Sequence, residues 1–134
     1  MAGHARVNLL DDVEDSVAGR ADGIDGRFGR SAVGARDIGV SLWRYGPNVR
    51  SAMGHKHREQ EEAYLVVAGS GQILLDGEVA DLRQWDLVRV SPDVVRAFAA
   101  GPEGLEIVAV GGPKPEGGDG EPTPVTWPGS PGRP

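Results

Sequence analysis

The chain has no cysteine, which excludes disulfide scaffolds, thiolate zinc sites and cysteine nucleophiles. Only seven of its 134 residues are aromatic, too few for a stacking platform along a strand of bases. Lysine is scarce, two against twelve arginines, and acids outnumber bases to leave a net charge of −6. That balance disfavours nucleic acid, because phosphate contacts need a basic face. No apolar run approaches the roughly 20 residues of a membrane span. The early acids Asp11, Asp12, Glu14 and Asp15 leave the N-terminus unlike a signal peptide. A soluble cytoplasmic protein without nucleic-acid or membrane partners is expected.

Glycine and proline are plentiful but unevenly spread. From Gly111 to Pro134 they make up 14 of 24 residues. This composition predicts a loose, disordered tail over 113–134, dispensable for folding, behind one folded domain with a single modest core. Residues 1–36 carry little regular pattern and are expected to form an N-terminal arm. Asn8 can cap a short helix carrying Leu9, Leu10, Val13 and Val17, or the segment lies as a loop on the domain. The glycine spacing from Gly19 to Gly34 predicts an irregular connection.

Strand signals crowd into 37–112, the expected barrel core. Ile38, Val40 and Leu42 alternate with Gly39, Ser41 and Trp43. Glu62 to Ala68 is rich in strand formers, Gly69-Ser70-Gly71 reads as a turn, and Gln72 to Leu75 follows. Asp76-Gly77 is a hairpin signal, and Val79–Leu82, Leu87–Val90, Val94–Phe98 and Leu105–Val110 complete the series. Short strands at this spacing predict an all-β antiparallel sandwich or barrel. Apolar residues on both parities of the last two segments predict association through an outer sheet face, and hence a homodimer.

The chemistry-bearing stretch is Gly54-His55-Lys56-His57-Arg58-Glu59-Gln60-Glu61-Glu62. His55 and His57 are two apart, so on a strand their imidazoles share a side. Neutral imidazoles suit borderline divalent ions, and Glu62 can add charge and a third donor. Tyr64 and Val66 share the face of Glu62 by period two. Glu59 and Glu61 read as a solvated linker.

This arrangement resembles the first motif of the cupin superfamily: Gly, five residues, His-any-His, three or four residues, Glu, six residues, Gly. His55, His57, Glu62 and Gly69 match it; the opening Gly slot falls on Val49. The five defining slots of the second motif fall on Trp85, Ser91, Asp93, Arg96 and Ala100, none of them the family's residue. The stretch from Trp85 to Glu106 is also similar to small stand-alone bacterial cupins of the conserved-barrel type. The resemblance implies a single-domain jelly-roll barrel holding a small anionic organic molecule, and it names no reaction. It implies a divalent metal (Fe, Zn, Mn or Ni) on His55, His57 and Glu62. Arg96, in the slot of the family's further histidine, is expected with Tyr64, Gln60 and Phe98 to contact the ligand. Arg96 can pair with Glu62, anchor an anionic ligand through its planar fork, or reach solvent from the rim. Two uses of the pocket stay open: a metal-dependent enzyme acting on a small anion, and a metal-free binding or sensing module.

Overall fold

The β-branched and aromatic runs form eight strands and one short helix in a computed structural model that describes residues 3–129. In chain order these are β1 (Ile24–Phe28), α1 (Arg30–Val33), β2 (Gly39–Tyr45), β3 (Met53–Lys56), β4 (Glu62–Leu75), β5 (Glu78–Arg83), β6 (Leu87–Val90), β7 (Arg96–Gly111) and β8 (Glu121–Pro124). All the pairings are antiparallel. The long strands β4 and β7 run side by side and divide the sheet into two arrays. Their first array is β1-β2-β7-β4-β6; the second is β8-β3-β7-β4-β5. One core receives side chains from both arrays, Tyr64, Val66, Leu105 and Ile107 from the first and Ile73, Leu82 and Phe98 from the second. The sheet is therefore curled on itself into a barrel, as the strand pattern predicts.

Several boundaries differ from the sequence expectation for identifiable reasons. Gly69-Ser70-Gly71 does not reverse the chain. Gly69 takes φ of 74° and the register with β7 shifts around it, so the segment is a bulge inside β4. A Cβ at Gly69 would collide with the carbonyl oxygen of Gly104. The bulge lets one strand serve both arrays. Val94–Phe98 and Leu105–Val110 likewise belong largely to one strand, β7. Asp76-Gly77 does form the hairpin, with positive φ at both residues (48° and 86°) as a type I′ turn requires.

The arm is more structured than its composition suggests. Asn8 Oδ1 accepts the N–H groups of Leu10 and Asp11, but the cap holds turns rather than a helix. Arg27 donates to the carbonyls of Leu10 and Val13, tying the arm to β1, and β1 itself lies inside the glycine-spaced connection.

The glycine- and proline-rich C-terminal segment departs furthest from the expected loose tail. Glu121–Pro124 pairs with all four residues of β3. Trp127, 5% exposed, packs on Leu74, Ala97 and Ala99, and its Nε1–H donates to the Ser51 carbonyl at 2.8 Å. Proline lacks only its own N–H, so a short edge strand accommodates Pro122 and Pro124. Trp127 also explains the apolar outer parity at Ala97 and Ala99, which the tail covers. The expected tail residues 130–134 lie outside the described residues. No helix among the described residues is long and apolar enough to cross a membrane.

Candidate metal centre

β3 brings His55 to the barrel interior, and His57 follows directly after the strand. Glu62 opens β4, and Tyr64 shares its face two residues on. Arg96 opens β7 directly opposite His55. Four groups converge on one oxygen, Glu62 Oε1. His55 Nε2 is 3.2 Å away, His57 Nε2 3.1 Å, and the Tyr64 hydroxyl donates to it at 2.5 Å. Arg96 Nη2 lies 3.7 Å from the same atom. The imidazoles stand edge to face, 5.1 Å between centroids.

These contacts set the protonation of the site. Burial pushes the Glu62 carboxyl up, but hydrogen bonds from His55, His57 and Tyr64 hold it well below the usual carboxylate range. Burial, followed by the charge of Glu62, raises the Tyr64 phenol well above its ordinary value. Tyr64 therefore serves as a donor, not a base. The hydrogen bond to Glu62 raises the pKa of His57 against burial, and Asp119 adds to the rise.

Asp119 was not legible in the sequence. Its Oδ1 sits 2.9 Å from His57 Nδ1, while Oδ2 accepts the backbone N–H groups of Arg58, Glu59 and Gln60 at 3.0, 2.6 and 3.0 Å. Burial raises its pKa, but the Glu59 N–H, His57 and the Gln60 N–H bring it down to about 2. Flanked by glycines about sixty positions from its partners, it reads locally as a solvated loop residue.

The site opens on a cavity of about 570 Å³ lined in part by Phe28, Trp43, Tyr64 and Phe98. Phe98 packs edge-on against Tyr64 at 5.0 Å. Gln60 also lines the cavity, but its side-chain amide donates to the Gly112 carbonyl. Glu59 and Glu61 are exposed, as expected of a linker. Arg96 is 0% exposed, which removes the rim-to-solvent alternative. Its Nη1 donates to the carbonyls of Val94, Pro92 and His55 at 2.8, 3.3 and 3.4 Å. Its Nε and Nη2 have no hydrogen-bond partner among the described residues and no contact with solvent.

The chain matches no protein-family model and no curated protein. Its backbone is similar to that of a cupin protein from Bacteroides fragilis, 19% identical, covering 84% of this chain and 86% of that one at a TM-score of 0.70. It is also similar to the polyketide cyclase RemF from Streptomyces resistomycificus (19% identity, 94% and 88% coverage, TM-score 0.71). A sugar phosphate isomerase of the cupin superfamily from Silicibacter pomeroyi gives 20% identity, 90% and 96% coverage and a TM-score of 0.68. The fold is that of the cupin superfamily. In this barrel the donors suit a divalent ion. Ligands at about 2.0–2.2 Å from such an ion stand about 2.8–3.6 Å from their neighbours, and the two His–Glu62 edges fall inside that range. The three donor atoms lie within 4.8 Å of one another. The Asp119–His57 contact is of the carboxylate–imidazole kind found behind metal-binding histidines in general. Arg96, 3.7 Å from Glu62 Oε1, would oppose an ion there as a fixed cation.

Proposed function

We propose that this cupin binds a small anionic organic molecule in the barrel and acts on it with a divalent ion, Fe, Zn, Mn or Ni, held by His55, His57 and Glu62. The observation that carries the reading is the convergence of both Nε2 atoms on Glu62 Oε1. Charge supports an anionic ligand. With neutral imidazoles, Glu62 and Asp119 outweigh Arg96 by one negative charge; a divalent ion turns that into one positive charge in excess. The ion would supply Lewis acidity or an oxygen-activating centre. The chain's own residues do the rest: Tyr64 keeps its proton and holds Glu62 by hydrogen bond, and Phe28, Trp43 and Phe98 exclude water around the apolar part of the ligand.

A metal-free binding module is the second reading, favoured by the two Arg96 nitrogens, Nε and Nη2, that make no hydrogen bond. Because these are sealed, a carboxylate reaches them only if Glu62 or a neighbour moves. A thermal-shift series of small carboxylic acids, run on metal-loaded and metal-stripped protein, separates the two. The first reading expects shifts only in the loaded form. Equal shifts in both forms would favour the second.

A further inference from the structure

We infer that Asp119 is a positioning residue of the site, delivered by a C-terminal strap, Asp119–Trp127, that holds His57 and the loop between the two donor-bearing strands. The inference rests on the metal reading above for the role it gives to His57 Nε2. A carboxylate offers about four lone-pair sites. Asp119 uses them on His57 Nδ1 and on three consecutive backbone N–H groups, and it is 4% exposed. With its acceptor capacity spent, it is not available as a ligand or base. What it does is geometric. Accepting the Nδ1–H of His57 leaves Nε2 facing Glu62 and the cavity. Gathering the N–H groups of Arg58, Glu59 and Gln60 fixes the loop that joins His57 to Glu62, so a single carboxylate sets the spacing of the donor set.

The strap holds Asp119 independently of His57. Met53 to Lys56 pair with Pro124 to Glu121, the Val125 N–H donates to the Ala52 carbonyl, and Trp127 anchors the end through its ring and Nε1–H. The strap therefore lies along β3, the strand that carries His55.

The test uses full-length, tag-free protein as wild type, Asp119→Ala, Asp119→Asn, and Glu121→Gln as a strap variant that keeps the backbone pairing with Lys56 and loses only an exposed 4.0 Å ion pair to it. Three quantities are read: the imidazole nitrogen signature of His57 by NMR in metal-stripped protein, the Co²⁺ dissociation constant, and the thermal midpoint. Asp119→Ala is expected to lose the Nδ1-protonated ring signature and to weaken Co²⁺ binding by roughly 10–100-fold. Asp119→Asn is expected to fall between, since its amide oxygen accepts Nδ1–H while its NH₂ cannot accept the loop N–H groups. Glu121→Gln should match wild type. A lowered midpoint with unchanged Co²⁺ affinity and ring signature in both Asp119 variants would overturn the inference and leave the metal reading standing. If wild type takes up no Co²⁺, the metal reading fails, and the ring signature alone then decides whether Asp119 positions His57.

Discussion

Replacing Arg96 with histidine tests whether the buried cation opposes a metal at the site. In the metal-stripped protein the change removes the charge 3.7 Å from Glu62 Oε1 and the donor to three backbone carbonyls. A unit charge pair at this distance interacts by about 4–5 kcal/mol at an effective dielectric of about 20. Glu62 keeps its contacts to His55, His57 and Tyr64, so part of that is retained. Breaking a buried pair on one side typically destabilises by about 3–5 kcal/mol, and a fall in Tm of about 10–20 °C is expected for a domain of this size. Toward a divalent ion the effects reverse: a repelling cation leaves and a further imidazole arrives. Zn²⁺ should bind at least about 100-fold tighter, or about 2.7 kcal/mol, and excess Zn²⁺ should restore much of the lost midpoint by mass action. Calorimetric titration of Zn²⁺ into stripped wild type and variant, with thermal unfolding at both metal states, gives both quantities. Equal Zn²⁺ affinities would refute the reasoning, showing that the charge of Arg96 is not felt at the donors.

Trp127→Ala should lower Tm by about 10 °C, from roughly 3 kcal/mol of lost packing, and truncation after Pro113 should lower it further; an unchanged midpoint by calorimetry would contradict the strap. In metal-stripped protein, stability should peak between about pH 4.5 and 6.5. The lowered pKa values of Glu62 and Asp119 give stability that is present above their unfolded values, near 4, and lost as pH falls through the folded ones, about 2 for Asp119. The raised pKa of His57 gives stability that is full below about 6.5 and lost as pH rises through the folded value. A midpoint that climbs steadily from pH 6 to 8 would contradict this. Leu42, Leu65, Val108 and Leu87 form a cross-strand row on the outer face of the first array, with Leu87 69% exposed; light scattering should give a dimer mass at micromolar concentration, and a monomer mass would remove the homodimer.

Period-two alternation made β2, β5 and β6 legible, and the spacing of His55, His57 and Glu62 made the donor set legible, because both depend on neighbours within a few residues. Asp76-Gly77 was readable for the same reason. The bulge at Gly69 was not, since whether a glycine turns a chain or shifts its register depends on the partner strand, here β7. The order of the C-terminal segment is not legible in its composition, because proline and glycine content reports local propensity, while that order comes from β3, the Ser51 carbonyl and the apolar patch of Leu74, Ala97 and Ala99. Asp119 disappeared with it. The slot of Arg96 was readable from spacing, but its sealed contacts with three carbonyls were not, as they depend on the loop from Pro92 to Val94 closing over the side chain.

The central claim, that His55, His57 and Glu62 hold a divalent ion, is tested most directly by the metal content of tag-free protein, measured by inductively coupled plasma mass spectrometry beside a His57→Ala variant. The account predicts close to one equivalent of Fe, Zn, Mn or Ni in wild type and a large loss in the variant. Wild type with no bound metal after supplementation with each of the four, or a variant that retains the full equivalent, would contradict it.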